Sequence, residues 1–218
     1  LVGLSTGVHL LNLLAIPAIG LVFYFRKYEF SWKGIAAVLA VSLGILVSIQ
    51  YLLIPGIPKV AFLFDKLFVN TFGLPFNSGV LFMIALIVTA SVWALRHTGK
   101  KNMVLWNTVV TAVVVILIGY SSFGVILIRA SANTPMNQNH PDNAFALQRY
   151  LNREQYGDRP LFYGHYYNAP AIATVGQQKM YNKVDGRYEV TGTLSKDTKY
   201  NSKMETIFPR MYSSQPQH

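Results

Sequence analysis

The chain has 218 residues, of which 52% are hydrophobic and only 13% charged, with a net charge of +10 and no cysteine. A soluble domain carries about 25% charged residues, so the composition points to a membrane protein, and the missing cysteines exclude disulfides and thiolate metal sites. No basic run with interleaved aromatics is present, so the positive charge reads as Lys and Arg around membrane spans, not as a nucleic-acid surface.

The charge is unevenly placed. Only Glu29 and Asp65 are acidic before Asp142, while the later part holds the other acids and most of the bases. That asymmetry predicts a membrane half followed by a water-facing half. The chain begins "LVGLSTGVHLLNLL", without a Met or a basic leader region, and stops in polar "RMYSSQPQH". It reads as an internal piece of a longer polypeptide.

A spanning helix needs roughly 20 mostly apolar residues. The first such stretch covers about 2–25 and is interrupted by Gly7, His9, Asn12 and Pro17. His9 and Asn12 are three apart and share a helix face. Polar side chains are costly in hydrocarbon, so this pair either lines a wet cavity or serves as interhelical glue. The loop "RKYEFSWK" follows, with Arg26, Lys27 and Lys33, and then a second span over about 35–54.

The connection "PGIPKVAFLFDKLFVNTFGLPFNSG" is no ordinary loop. Val60, Leu63, Phe64, Leu67 and Phe68 follow helical spacing, while Lys59, Lys66 and Asn70 gather on another side. Residues 58–72 therefore read as an amphipathic helix, either lying in the membrane interface or packed on neighbouring spans. A third, short span covers about 79–95. The loop "RHTGKK" adds Arg96, Lys100 and Lys101, and a fourth span covers about 103–128. The two short basic loops belong in the cytoplasm by the positive-inside rule. Both ends of the chain then lie outside, which in a bacterium is the periplasmic side of the inner membrane and in a eukaryote the secretory lumen.

The fourth span ends in "RASANTPMNQNHPDN", residues 129–143. Arg129 either snorkels at the interface or pairs with a phosphate, whose oxygens match its planar fork. Asn133, Asn137, Gln138, Asn139 and Asn143 both donate and accept hydrogen bonds, as a sugar requires. With Asp142, and with His9 and Asn12 at the same depth on the first span, Arg129, Asn133, Asn137 and Asn139 form the expected substrate-binding set. "PDNAFALQRYLNREQYG" reads as a helix capped by Asp142 or Asn143, with Ala144, Leu147 and Leu151 on one face and Gly157 as its stop. "RPLFYGHYY" and "RYEVTGTL" have strand composition, and "KDTKYNSKMETIFPRMYSSQPQH" is weakly patterned. The expected layout is thus a mostly α membrane bundle over 1–129, with four spans and an interfacial helix. A small, incomplete extracytoplasmic α/β segment follows over 130–218.

No phosphate-binding glycine loop, GxSxG or HExxH occurs, and the histidines lack metal-ligand spacing. The segments "GLSTGVHLLNLLAIPA", "LFVNTFGLPFNSG", "IRASANTPMNQNHPDN" and above all "YLNREQYGDRPLFYG" resemble a family of large bacterial integral membrane proteins. That family was long called a domain of unknown function. It is placed with the GT-C-type glycosyltransferases and is related to a eukaryotic transmembrane protein O-mannosyltransferase. The resemblance implies transfer of a sugar from a polyprenyl-phosphate donor to a protein or glycan acceptor on the outer face. It puts the catalytic acid in an extracytoplasmic loop upstream of Leu1, so no catalytic residue and no resident cofactor is assigned here. The competing class is a non-catalytic multi-pass protein, either half of a transporter or the anchor of an extracytoplasmic interaction module. Four spans without a convincing repeat fit neither well.

Overall fold

The computed structural model describes residues 10–156, 160 and 162–209. The chain divides into two compact units, 1–152 and 153–218.

The first unit is helical. A 3-10 turn, Leu10–Leu14, leads into α1, Ala15–Lys27. Residues 2–9 of the expected first span, His9 among them, lie outside the described residues. The hairpin from α1 to α2, Trp32–Val47, is packed through small residues. A methyl group on Gly20 would meet Ser42 Oγ at 2.5 Å, and one on Gly34 would strike the Tyr24 ring. Tyr24 OH reaches across the turn and donates to Glu29 O at 3.0 Å.

The second expected span and the connection after it form one helical rod. Helix α2 runs through a π-helical turn, Ser48–Leu53, into α3, Ile54–Phe72. This corrects the expected break at Pro55. Proline lacks an N–H, so Pro58 leaves the carbonyl of Ile54 without its helical donor. Tyr120 OH supplies that donor at 2.9 Å, and the helix continues through the joint. The rod, Trp32–Phe72, has 41 residues, about 61 Å at 1.5 Å per residue against a hydrocarbon core of about 30 Å. Leu13, Ile49, Ile54, Tyr120, Phe123, Leu147 and Leu151 bury one cluster around this joint.

Helix α3 splits the apolar face read from its sequence. Phe64 and Phe68 pack on Phe82, with ring centroids 5.6 and 5.1 Å away, whereas Val60, Leu63 and Leu67 remain exposed. The buried side is Pro58, Ala61, Phe62, Asp65 and Val69. Gly73, at φ 66°, ends the helix in the left-handed region, with Leu74 N–H closing back on Phe68 O.

Helix α4, Ser78–Lys100, is longer at its C-terminal end than the expected 79–95. Its N-terminus abuts α3 so closely that a methyl group on Gly79 would strike the backbone of Phe64 and Asp65. The expected fourth span is present as Val104–Ser131, divided by a turn at Ser121 and Ser122 into α5, Val104–Tyr120, and α6, Phe123–Ser131. The α4–α5 hairpin is tied by Asn107 Nδ2, which donates to Thr98 Oγ1 at 2.9 Å. Three helical stretches among the described residues are long and apolar enough to cross a membrane: Trp32–Phe72, Ser78–Lys100 and Val104–Ser131. Their exposed Val, Leu, Ile and Phe side chains face lipid.

Helix α7, Ala144–Leu151, is capped by Asn143, whose Oδ1 accepts the N–H of Ala146 at 2.9 Å. It buries Ala144, Phe145, Leu147 and Leu151, and Phe145 meets Phe62 of α3. It ends before the expected stop at Gly157, because Arg153 takes a positive φ of 57°. Packing of α7 on α3 is why the compact helical unit continues past Arg129.

The second unit is built from β-strands, with a 3-10 turn at Glu154–Tyr156. Strand β1, Tyr163–His165, pairs antiparallel with β4, Glu205–Ile207. Between them β2, Ala171–Val184, and β3, Arg187–Tyr200, form a long antiparallel ribbon. Asp185 and Gly186, at φ 45° and 79°, make its two-residue turn. His165 stacks on Tyr200, with centroids 3.7 Å apart. Of the expected strand at 159–167, Tyr163–His165 is a strand and residues 159 and 161 lie outside the described residues, the one expected at 187–194 lies within β3, and β2 is an element the sequence reading did not identify.

Candidate functional site

The amide-rich stretch closes the end of α6 and then turns into α7. Ala130 O accepts both the N–H of Asn133 at 3.2 Å and Asn137 Nδ2 at 2.9 Å. These two amides satisfy carbonyl capacity that a helix end leaves open. Asn133, Asn139 and His140 have φ values of 49°, 60° and 42°. Asn tolerates that region better than most residues, so part of the amide richness is backbone chemistry.

A chain of side-chain contacts runs through the second half of the loop. Asn137 Nδ2 lies 2.6 Å from His140 Nδ1, which makes that ring nitrogen the acceptor. The other ring nitrogen then faces the Asp142 carboxylate at 3.9 Å. Asp142 Oδ1 accepts from Asn143 Nδ2 at 2.8 Å, and Asn143 also caps α7. The loop is thus tied at both ends to the helices that flank it.

What the loop encloses is an open hollow of about 590 Å³ lined by Arg129, Thr134, Met136, Asn137, Gln138 and Tyr150 among others. That volume lies in the range of small-molecule clefts. Arg129 sits exposed in the last turn of α6, without an acidic partner among the described residues. The hollow therefore combines one fixed positive charge, two amides, two hydroxyls and an apolar thioether. Such a set can hold a phosphate at the guanidinium and hydrogen-bond a polyol beside it.

Of the expected substrate-binding residues, the structure brings Arg129 and Asn137 together in this hollow. Asn133 and Asn139 shape the loop and do not line it. Asp142 anchors the loop to His140 and Asn143. Asn12 is exposed on the 3-10 turn and is not in the lining, and His9 lies outside the described residues. Tyr150 and Thr134 are lining residues the sequence did not single out. Tyr150 lies on α7 three positions after Leu147 and packs partly buried against the core cluster, so in the sequence it reads as one more core-facing residue.

A second hollow of about 500 Å³ is apolar and runs beside α4, α5 and α6, with Met83, Ile87, Leu117, Phe123 and Leu127 in its wall. Helix α6 serves both hollows, lending Leu127 to the apolar one and Arg129 to the polar one. Among the described residues, no group of three or more His, Asp or Glu could hold a metal ion.

Two family models match the chain. Residues 1–32 match the one described as the N-terminal domain of the protein O-mannosyl-transferase TMEM260. Residues 157–218, nearly the whole second unit, match a family of unknown function, DUF8416. No curated protein and no solved structure matches the chain.

Proposed function

We propose that the chain is part of an integral-membrane glycosyltransferase of GT-C type, similar to protein O-mannosyltransferases. It passes a sugar from a polyprenyl-phosphate donor to a protein or glycan acceptor at the outer face of a bacterial inner membrane. The observation that carries this reading is the match of residues 1–32 to the TMEM260 N-terminal domain. The two hollows that share α6 suit a donor of that chemistry. An isoprenoid tail belongs against Leu117 and Leu127, and a sugar phosphate belongs at Arg129, Asn137 and Gln138. As the anomeric carbon–oxygen bond to phosphate breaks, negative charge builds on the leaving polyprenyl phosphate, where a guanidinium stabilises it. The residue that takes the acceptor's proton is assigned to none of those described.

The direct test uses membranes carrying the complete gene product, a radiolabelled polyprenyl-phosphate mannose and peptide or glycan acceptors. Label should move to an acceptor from the lipid-linked donor and not from a sugar nucleotide. Intact protein that transfers nothing from any lipid-linked hexose would sink the reading.

Orientation is checked separately. The basic loops place Ser31 and Gly99 in the cytoplasm and Gln138 outside. With no native cysteine, a single cysteine at Gln138 should react with an impermeant thiol reagent in intact cells. Cysteines at Ser31 and Gly99 should react only after the membrane is opened. The reverse pattern would put the amide stretch on the wrong side for an outer-face transferase.

A further inference from the structure

The C-terminal half of α4 carries a stripe of graded chemistry. Val88, Val92, Trp93, Arg96, His97 and Lys100 line a hollow of about 510 Å³ along this helix. They recur at spacings of three and four, which places them on one face. The α4–α5 contact at this level runs through Thr98, on a different side of the helix. Trp93 is 65% exposed and stacks on the His97 ring, with centroids 5.0 Å apart at 23°. Arg96 and Lys100 are exposed and have no acidic partner among the described residues.

Depth turns this stripe into a recognisable surface. Helix α4 has 23 residues, about 34 Å, against a hydrocarbon core of about 30 Å. Its last turn, with Arg96, His97 and Lys100, emerges at the level of lipid headgroups. Trp93 lies one turn below, at the depth where indole rings collect. Val88 and Val92 lie deeper, among acyl chains. The helix C-terminus itself carries about half a negative charge, which disfavours an anion. Arg96, Lys100 and Lys101 outweigh it with three positive charges. The acids of the helical unit are Glu29, Asp65 and Asp142, and none is on α4.

We propose that this stripe is a docking site for one anionic glycerophospholipid of the surrounding leaflet. Arg96 and Lys100 hold its phosphate, Trp93 packs against the glycerol region, and Val88 and Val92 line one acyl chain. The proposal needs no catalysis, and its phosphate end, Arg96 and Lys100, is absent from the lining of both hollows used for the sugar-transfer reading, although Val88 and Val92 also line the apolar one.

The test reads Trp93 directly. Trp32→Phe and Trp106→Phe, with phenylalanine also in place of any tryptophan outside these 218 residues, leave Trp93 as the one tryptophan of the complete gene product, which is reconstituted in phosphatidylcholine vesicles with a minor fraction of brominated lipid. Brominated phosphatidylglycerol should quench Trp93 well beyond brominated phosphatidylcholine at the same mole fraction. One basic side chain near an anionic surface is worth about fivefold, so local enrichment on the order of tenfold is expected. R96Q together with K100Q should erase the difference. Equal quenching by the two lipids, or a preference that survives the double variant, overturns the proposal. So does its loss in inorganic phosphate but not in chloride of equal ionic strength, which would mark a free-phosphate site instead.

Discussion

Replacing Arg129 with alanine is expected to lower sugar transfer roughly tenfold to hundredfold while leaving expression and membrane insertion unchanged. Arg129 is the positive charge in the lining of the hollow at the end of α6, and it is exposed there without an acidic partner among the described residues. A hydrogen bond to a charged group contributes about 1.5–3 kcal/mol, which sets that range. Arg129→Lys should recover only part of the loss, because an ammonium cannot make the bidentate contact with phosphate. The neighbouring amides provide the contrast. Asn137 lines the hollow and also ties the loop to Ala130 O, so Asn137→Ala should impair transfer. Asn133 holds a positive φ and does not line the hollow, so Asn133→Gly should be close to neutral. Normal transfer by Arg129→Ala across donor concentrations would make Arg129 a membrane anchor. Equal losses from Asn133→Gly and Asn137→Ala would mean the loop matters only through its shape.

That contrast also marks how far the site was legible. Arg129 and Asn137 could be chosen from sequence because a charge and an amide at the mouth of an apolar run are unusual. Asn133 and Asn139 carry the same side chain for a different reason, since their backbone is left-handed. A sequence shows the amide and not the φ, so the two uses of Asn look alike. The fold divides along similar lines. Apolar runs and the Asn143 cap signal their helices locally, and the structure places α2, α4, α5 and α7 there. The joint between α2 and α3 was misread because Pro55, Gly56 and Pro58 are strong breakers. What keeps the helix going is a hydroxyl 66 positions away, Tyr120 on Ile54 O, and no local pattern announces it. Strand β2 was missed because most of its residues are exposed. Without a buried face there is no alternation to read. The Asp-Gly turn at 185–186 was the available clue.

The second large effect is expected at Asp65, which in the sequence stands out only as one of two acids before Asp142. It is 0% exposed, and its two carboxylate oxygens accept the N–H of Asn77 at 3.1 Å and of Gly79 at 3.0 Å. Those N–H groups belong to the N-cap residue and the first turn of α4, which no side chain of its own caps. Asp65 therefore acts as an N-cap supplied from α3, with a negative charge set against the positive end of the α4 dipole. Asp65→Ala would leave both N–H groups without this acceptor, at about 1–3 kcal/mol for the buried one of Gly79 and less for the part-buried one of Asn77. It should lower the unfolding midpoint of the purified protein in detergent and raise the reactivity of a cysteine placed at Ser78. Asp65→Asn should fall between the two proteins, since its amide oxygen can accept one N–H while its NH₂ opposes the other. Gly79→Ala attacks the same junction sterically, as its methyl group would strike the backbone of Phe64 and Asp65. The two single changes should therefore be non-additive when combined, because either one already separates α3 from the start of α4. An Asp65→Ala protein that unfolds at the normal midpoint and keeps Ser78→Cys protected would show that α4 holds its place through the Phe64, Phe68 and Phe82 contacts alone.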